Sequence, residues 1–499
     1  MEKALETYKK YQKKLQAYYY MMMIVGFDSS TIAPEGCFAK RGEHMAIVSE
    51  DLYKLETSEE YSNAIDILYK NIDQLDEVLQ HEIKRIKRGI EKQKKIPMDE
   101  YLKFTELTAV SEQLWAKAKN NNDFESFRPT MEKIVEYWRK YLEWQESDEY
   151  KGFDILLEEH EKDYTSKEYD EFFNCLKEKL VPFVKKVVAL PCPAKIDYSK
   201  YTISIQQQKA VCKAIEDIMC YDHVHGISAE TEHPFTSGFG TYDVRYTNHF
   251  YEDNFVSSIY SAVHELGHAT YELQCNPELD DTFSGGGCSM AMHESQSRFY
   301  ENMIGRSREF VHLLVPVLEK YVPEIEWNEE DLYYYVNKPE MSYIRTEADE
   351  LTYPLHIMLR YDLEKAMMSG ELEVKDLPRV WNEKFKEYFG IEVPNVKVGC
   401  LQDVHWAGMS FGYFPTYALG SAYAAQFYKA MEKDIDIKKA VLSGTTKEIN
   451  DWLKEHIHKY GSSKDPKDIM LLATGEEFNP NYYVDYLINK FSEMYNITE

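Results

Sequence analysis

The sequence predicts a mainly α-helical protein, a single large helical domain with a deep cleft and a small minor β-sheet. Apolar residues recur at the i, i+3, i+4 spacing of helices through most of the 499 residues. The low counts of 22 Gly and 17 Pro disfavour a loop-rich all-β architecture. Because no fixed-period repeat or low-complexity linker divides the chain, we expect residues 1–499 to form one unit.

The first 190 residues are predicted to form consecutive helices. One clear apolar face is formed by Leu75, Val78, Leu79, Ile83, Ile86 and Ile90. Pro97 ends that helix, and residues 101–120 and 128–145 continue the helical pattern. We expect the helices up to about residue 120 to form one wall or a lid of the cleft.

The chain after residue 190 combines loops, helices and one segment of β character. Pro191–Lys195 is predicted to be a loop between helices, because helical spacing resumes by Gln206. Residues 234–255 mix Gly with β-branched and aromatic residues, which predicts a short sheet or hairpin. Helix is expected again afterwards, including residues 403–431.

Composition and one short apolar run limit the possible functional classes. The net charge of −28 argues against a nucleic-acid-binding protein, because phosphate contacts need a basic surface. The run Tyr18–Phe27 has about half the length that spans a bilayer, so we expect a buried helix rather than a membrane segment or signal peptide. The eight Cys form no C-x-x-C pair and are expected to be reduced thiols of a cytoplasmic protein.

The segment Ser261–Gln274 carries the residues with the clearest chemical meaning. It contains His264, Glu265 and His268 in the H-E-x-x-H pattern. On a helix, residues four apart lie about 40° apart around the axis and about 6 Å apart along it. Both imidazoles can therefore bind one metal ion, and Glu265 lies at the edge of the same face, where it can act on a water at the metal.

A catalytic zinc usually has three protein ligands and one open position, so a third ligand is needed. Glu272 lies on the same helix and would crowd the two histidines. Three further acidic residues lie in a polar loop after the helix: Glu278, Asp280 and Asp281. The Gly285–Gly287 loop can let a second helix start beside the first, which favours Glu294 as the third ligand, with its neighbour His293 as a rival.

Six short motifs follow one another along the chain. They are HPF at 233–235, DVRYT at 243–247, HELGH at 264–268, HESQ at 293–296, IRTEAD at 344–349 and GCLQDVHW at 399–406. In this ordered set the chain resembles the carboxypeptidase Taq family of metallocarboxypeptidases. Residues 27–45 resemble a diverged form of the family's early Trp-Asp segment, with Phe27 where tryptophan is usual. The resemblance spans nearly the whole chain, which implies one family-specific unit rather than several modules.

The resemblance implies a metal centre and a general base. His264, His268 and Glu294 would bind one divalent metal ion per chain, most simply zinc, with cobalt or manganese as alternatives. Glu265 would take a proton from the attacking water and then pass it to the leaving amine.

The resemblance also implies oxyanion donors from a late segment. Similar helical metallopeptidases use a His and a Tyr there, and His405 and Tyr417 are the matching residues. Tyr413 is a rival, because the loop GYFPTY is hard to align.

The resemblance also implies that an arginine binds the free terminal carboxylate of the substrate, since its planar guanidinium can bind both oxygens. Arg345 of IRTEAD is the implied clamp. Arg245 of DVRYT is the alternative, unless it is a structural ion-pair partner of Asp243 or Asp349. His233 and Phe235 of HPF would line the cleft near the end of the substrate.

The sequence therefore predicts a metal-dependent carboxypeptidase that releases single C-terminal amino acids from peptides, with broad specificity, in a deep active-site cleft. A helical zinc oligopeptidase or dipeptidyl carboxypeptidase is the main alternative, because it would share the metal pattern and differ in the distance from clamp to metal. A catalytically inactive helical scaffold is less favoured, since Glu265 is retained. The resemblance also implies a homodimer, with peptides bearing a free C-terminus as partners and neither nucleic acid nor membrane.

Overall fold

The computed structural model describes residues 1–497 and confirms a mainly α-helical fold. The first nine α-helices are α1 Glu2–Thr31, α2 Phe38–Glu56, α3 Glu59–Lys70, α4 Glu77–Lys94, α5 Met98–Asn121, α6 Phe124–Gln145, α7 Asp154–His160, α8 Ser166–Cys175 and α9 Val181–Val188. The helices predicted for residues 101–120 and 128–145 correspond to α5 and α6 and are confirmed.

The second part of the chain contains the sheet and the remaining helices. The elements up to residue 298 are α10 Ile205–Ile218, β1 Gly226–Glu230, β2 Thr236–Gly238, β3 Val244–Asn248, α11 Phe255–Gln274 and α12 Met290–Arg298. The later helices are α13 Arg308–Tyr321, α14 Glu329–Val336, α15 Tyr353–Ser369, α16 Leu377–Phe389, α17 Phe414–Met431, α18 Ile437–Leu442, α19 Lys447–His456, α20 Pro466–Thr474 and α21 Asn481–Tyr495. The predicted loop at 191–195 is confirmed, and α10 begins one residue before Gln206.

The buried apolar residues form two separate cores. The smaller core lies among the first four helices, where Tyr8, Ile65 and Ile83 are fully buried. The larger core runs from α5 and α6 to α21 and surrounds α11, α12 and α17. The first four helices are therefore a separately packed layer, and their role as a cleft wall or lid stays a prediction.

The apolar run Tyr18–Phe27 lies inside α1, but the expectation that it is buried is wrong. Tyr20 and Met21 are 40% and 49% exposed, whereas Phe27 is buried and packs edge-on against Phe235 and Phe239. The run carries apolar side chains all around the helix, and only one side of α1 has a packing partner. No helix within residues 1–497 is long and apolar enough to cross a bilayer.

The predicted β segment is confirmed as part of a three-stranded sheet in the order β1-β3-β2. β2 pairs with β3 in antiparallel register, and β1 pairs with β3 in parallel register. The strand β1 was not predicted from the sequence. The central strand β3 is largely buried and packs on α11, so the sheet supports the helix that carries His264 and His268.

The expectation of helix throughout 403–431 is wrong for its first part, because α17 begins only at Phe414. Met409 and Gly412 have φ angles of 63° and 78°, in the left-handed region that a helix cannot continue through. The buried carboxylate of Glu364 accepts hydrogen bonds from Trp406 Nε1 at 2.7 Å and from the Gly412 amide at 3.0 Å. This anchor holds the segment as an ordered loop in front of α17.

A second buried carboxylate, that of Glu161, holds the N-terminus of α12. It accepts hydrogen bonds from Ser289 Oγ at 3.0 Å, the Ala291 amide at 3.3 Å and Tyr423 Oη at 3.2 Å. A carboxylate at a helix N-terminus is favourable, yet complete burial raises the pKa of Glu161 from 4.5 to about 7. The position of α12 therefore depends on a carboxyl group that folding makes harder to ionise.

We predict that Glu161→Gln changes how stability depends on pH. The folded-state pKa lies above the unfolded value, so the free energy of unfolding of the wild type falls as pH rises from about 4.5 to about 7. The glutamine of the variant does not titrate. Its side-chain amide can form hydrogen bonds with the hydroxyls of Ser289 and Tyr423 and with the backbone amide of Ala291. When the pH is raised from 5 to 8, the free energy of unfolding of the variant should increase by on the order of 2–3 kcal/mol relative to that of the wild type.

Denaturant unfolding of both proteins at the two pH values measures this difference. The exposed Glu371→Gln variant is the control and should follow the wild type at both pH values. Parallel pH curves for wild type and Glu161→Gln would contradict the prediction.

Candidate metal centre and active site

The helix α11 presents two imidazoles on one side. His264 Nδ1 lies 2.9 Å from Glu301 Oε2, and His268 Nδ1 lies 2.9 Å from His293 Nδ1. These contacts occupy the Nδ1 atom of each ring. The Nε2 atoms are left to face a common point.

The helix α12 brings Glu294 to that point. Glu294 Oε2 lies 3.8 Å from His264 Nε2 and 3.9 Å from His268 Nε2. Within residues 1–497, these three residues are the one set of His, Cys, Asp or Glu whose ligand atoms all lie within 4.8 Å of one another. Metal–ligand bonds of about 2.0–2.2 Å in a tetrahedral site place ligand atoms roughly 3.3–3.6 Å apart, so this donor set fits an ion of the zinc class.

The two ligand helices approach each other closely because glycines lie at the contacts. A Cβ atom on Gly267 would lie 2.7 Å from Ser297 Cα and 2.8 Å from Gln296 O. A Cβ atom on Gly420, in α17, would lie 2.6 Å from Glu294 Cβ. Any larger residue at either position would push α12 away from its neighbours.

Arg298 links the ligand carboxylate to the carboxylate that holds His264. Its Nε donates to Glu294 Oε1 at 2.7 Å, and its Nη1 donates to Glu301 Oε2 at 3.1 Å. Burial opposes the charged form of Glu301, yet Arg298, His264 and Arg306 together lower its pKa well below the usual range. A charged Glu301 therefore remains in place to accept from His264.

Glu265 lies beside the cluster and points toward the sheet. Its Oε2 accepts a hydrogen bond from Thr236 Oγ1 in β2 at 2.6 Å. Burial raises the pKa of Glu265, with smaller opposing effects from His264 and Thr236. A carboxylate with a raised pKa is a stronger base, which suits a proton acceptor.

His405 and Tyr417 lie together, with His405 Nε2 3.3 Å from Tyr417 Oη. Burial and then the charge of Arg345 lower the pKa of His405 to about 4, so its ring is neutral near pH 7. Tyr417 lines a cavity of about 890 Å³ together with His264 and Glu294, whereas neither Tyr413 nor His405 is among its lining residues. This placement favours Tyr417 over its rival.

Arg345 lines the same cavity as the metal cluster and lies 5.1 Å from the centre of the Tyr417 ring. Asp403 Oδ1 accepts from Arg345 Nε at 3.1 Å and from Nη2 at 3.0 Å. The remaining Nη1 lies 3.3 Å from Tyr353 Oη. The guanidinium is thus fixed along one edge and has a second edge directed away from Asp403.

The alternative residues lie elsewhere. Arg245 donates two hydrogen bonds of 2.7 Å to Asp243 and packs over the rings of Phe27 and Phe239. His233 is exposed in the loop before β2. Neither residue lines the cavity that contains His264 and Glu294.

Sequence reasoning missed Arg298 and Glu301 and considered Glu272 only as a metal ligand. The signal for the first two was present, because Glu294, Arg298 and Glu301 are spaced by four and then three residues. That spacing puts them on one side of a continuous helix, and α12 does continue as a π-helix through Phe299–Gly305.

Comparisons with known proteins agree in pointing to one family. The family model described as carboxypeptidase Taq (M32) metallopeptidase matches residues 7–491. Carboxypeptidase 1 of Bacillus subtilis (strain 168) is 38% identical over 487 residues, covering 97% of each chain. Thermostable carboxypeptidase 1 of Pyrococcus furiosus is 33% identical over 487 residues, covering 96% of each chain.

Solved structures give the same result. The M32 carboxypeptidase from Deinococcus radiodurans R1 superposes with a TM-score of 0.94 at 28% identity, covering 99% of this chain and 100% of that chain. A Pyrococcus furiosus carboxypeptidase structure superposes with a TM-score of 0.94 at 32% identity, covering 98% and 99% of the two chains.

We predict that Gly420→Ala weakens metal binding. The added methyl group would displace Glu294 from the two histidines, so the affinity for zinc should fall roughly 10-fold or more. Overpacking should also destabilise the fold by about 1–3 kcal/mol. Competition with a chromophoric chelator measures the affinity, and denaturant unfolding of the metal-free protein measures the stability.

The matched control is Gly89→Ala in the exposed part of α4, where a Cβ would meet nothing within 4 Å. This change should leave zinc affinity unchanged and stabilise the protein by about 0.5–1 kcal/mol, because Ala is the better helix former. Equal zinc affinity in Gly420→Ala and wild type would contradict the predicted contact.

Proposed function

The chain belongs to the carboxypeptidase Taq (M32) family of metallopeptidases, as its motifs predicted, and is a metallocarboxypeptidase; from this premise we propose a mechanism and assign the site residues. The enzyme releases single amino acids from the C-termini of peptides, with broad specificity. The observation that supports this most directly is the shared cavity, which is lined by Arg345 and by His264 and Glu294 of the metal-ligand cluster.

His264, His268 and Glu294 hold one divalent ion in this proposal. Two imidazoles and a carboxylate favour zinc, and cobalt or manganese could use the same donors. When bound, the ion polarises the scissile carbonyl and makes a water easier to deprotonate. Arg298 keeps Glu294 in position through the 2.7 Å hydrogen bond to its other oxygen.

Glu265 acts as the general base. It accepts a proton from the attacking water and passes it to the nitrogen of the leaving amino acid as the C–N bond breaks. Its raised pKa suits both transfers, and Thr236 orients the carboxylate by donating to Oε2.

His405 and Tyr417 stabilise the oxyanion of the tetrahedral intermediate. A neutral His405 has one N–H to donate, and Tyr417 has a hydroxyl donor 3.3 Å from it. Two donors held in a buried site need little reorganisation when the negative charge develops.

Arg345 binds the terminal carboxylate of the substrate. Its charge is permanent, and Asp403 fixes the plane of the guanidinium through Nε and Nη2. Arg245 is the weaker candidate, since its Nε and Nη2 are used by Asp243 and it does not line the cavity that contains His264 and Glu294. His233 would contact the substrate only if the peptide extends beyond the cavity toward β2.

A dipeptidyl carboxypeptidase or oligopeptidase is the alternative, because both would use the same ligands and base. They differ in the number of residues between the cut bond and the carboxylate clamp. A catalytically inactive scaffold has less support, because Glu265 is both retained and placed beside the cluster.

We also propose a cytoplasmic homodimer. Support comes from exposed apolar side chains that follow one face of α5 at multiples of four residues: Met98, Leu102, Val110 and Leu114 are 63%, 54%, 46% and 41% exposed. Contiguous exposed apolar surface is typical of protein–protein interfaces. Fractionation of the native host, with the protein absent from the soluble cytoplasmic fraction, would contradict the location.

The mechanism predicts a specific cleavage pattern. An unblocked peptide incubated with the zinc-loaded enzyme should give a ladder of single-residue losses from its C-terminus, and its amidated twin should remain intact. Glu265→Gln should lower kcat about 10²- to 10⁴-fold while zinc content is retained. Mass spectrometry reads both results, and dipeptide steps or internal cuts would instead support the alternative.

Variants of Arg345 complete the same experiment. Arg345→Lys keeps the charge without the planar fork and should lower kcat/KM on the free acid roughly 10- to 100-fold, because a hydrogen bond to a charged group contributes about 1.5–3 kcal/mol. The matched control is Arg245→Lys, which should have little effect. A larger loss of kcat/KM in Arg245→Lys than in Arg345→Lys would instead identify Arg245 as the residue that binds the terminal carboxylate.

The dimer predicts a sedimenting mass of twice 58.8 kDa at micromolar concentration. Leu102→Glu should shift the protein toward the monomer, because it places a charge in an apolar contact. Leu442→Glu, on the exposed face of α18, is the control and should leave the mass unchanged. A wild-type monomer would contradict the proposal.

A further inference from the structure

Next to the metal cluster, a chain of hydrogen bonds runs from His268 through His293 to the partly buried carboxylate of Glu272. His268 Nδ1 lies 2.9 Å from His293 Nδ1, and His293 Nε2 lies 2.6 Å from Glu272 Oε1. Glu272 Oε1 also accepts from the Gly287 amide at 2.9 Å. The chain therefore leaves α11 at His268, crosses to α12 and returns to α11 one turn later.

The chemistry of these groups fixes the direction of each hydrogen bond. A carboxylate only accepts, so His293 donates from Nε2. In a neutral imidazole the other nitrogen then carries a lone pair, and His293 Nδ1 accepts from His268 Nδ1–H. His268 Nε2 is left without a proton, and this atom faces Glu294. This is the one arrangement of the three groups that agrees with a cation at His268 Nε2.

Three glycines leave room for the pair formed by His293 and Glu272. A Cβ on Gly238 would lie 2.5 Å from Glu272 Oε2, and one on Gly286 would lie 3.2 Å from the same oxygen. A Cβ on Gly287 would lie 2.3 Å from His293 Cδ2. Side chains at these positions would collide with the pair, so the surrounding backbone is shaped around it.

The other histidine ligand is held differently. His264 contacts the carboxylate of Glu301 directly, and that carboxylate is also paired with Arg298 and Arg306. Glu272 has no arginine or lysine partner among the salt bridges of residues 1–497, and His293 is its only charged or ionisable contact there. Glu272 therefore makes its one salt bridge with His293, and its remaining hydrogen bond is with the Gly287 amide.

We propose that His293 and Glu272 are positioning residues for His268, which set its ring orientation and leave Nε2 unprotonated for the metal. His293 is then a support of the site and not a ligand, because both of its ring nitrogens are engaged away from the ion. The inference rests on the proposed metal site formed by His264, His268 and Glu294. The HESQ segment then contributes two neighbouring residues to the site: Glu294 binds the metal, and His293 positions another ligand, His268.

The test is metal binding, measured without substrate. Outer partners of metal-ligating histidines typically contribute about 10- to 100-fold in affinity. Glu272→Gln can keep both hydrogen bonds but loses the charge, and it should lower zinc affinity at the mild end of that range. His293→Phe keeps an aromatic ring and removes both bonds, and it should lower zinc affinity at the strong end.

Cobalt provides a second readout that a merely structural defect would not change. In His293→Phe, the cobalt-substituted protein should keep an absorption spectrum of the same coordination number with shifted band positions, since all three ligands remain. His293→Gln should partly restore zinc affinity, because its amide oxygen can accept from His268 Nδ1. The exposed His312→Gln is the control and should match wild type.

The outcomes separate the inference from the proposed function. Zinc affinity in Glu272→Gln and His293→Phe equal to wild type would overturn the positioning role. Loss of one cobalt ligand in His293→Phe, as in His264→Ala, would make His293 a ligand and overturn it as well. Failure of the wild type to bind zinc or cobalt would instead contradict the metal site itself. Unfolding midpoints of the metal-free variants, matched to wild type, show that the comparison concerns binding.

Discussion

The close contact between α11 and α12 is the constraint on which the rest of the site depends. Two of the proposed metal ligands lie on the first helix and the third lies on the second, so the distances from Glu294 to the two histidines are set by the distance between two backbones. Gly267 allows that distance at the contact between α11 and α12, and Gly420 allows α17 to pack equally closely on the other side of α12, next to Glu294. Glu161 then fixes the start of α12. A shift of a few tenths of an ångström at these contacts would change both distances from Glu294 to the two histidines.

The same packing concentrates charge in a buried region, and the charges are arranged in pairs. Glu294 and Glu301 share Arg298, and Asp403 is shared by Arg345 and Arg360. Buried ions are costly when one partner is missing, so each group also serves to hold another. This pairing explains how Glu301 and Asp403 stay ionised although they are buried, because the neighbouring arginines hold the pKa of each carboxyl well below its usual range.

The sequence predicted what depends on local geometry. The spacing of His264 and His268 follows from helix periodicity alone, and the glycine loop correctly indicated a second helix with Glu294 near them. What failed depends on distant partners. The burial of Tyr18–Phe27 depends on which side of α1 meets the body, and the irregular segment before Phe414 depends on Glu364. β1 pairs in parallel with β3, and parallel pairing leaves little local signal in a five-residue strand.

Arg345 connects substrate recognition to catalysis in the proposed mechanism. Together with burial, its charge keeps His405 neutral, with a pKa of about 4. A bound terminal carboxylate would offset part of that charge, and His405 would then hold its N–H in a less positive environment. A peptide without the carboxylate would lack the charge-assisted hydrogen bonds to Arg345 and would bind more weakly. Selection for a free C-terminus and stabilisation of the oxyanion thus depend on one guanidinium, whose orientation is fixed by Asp403.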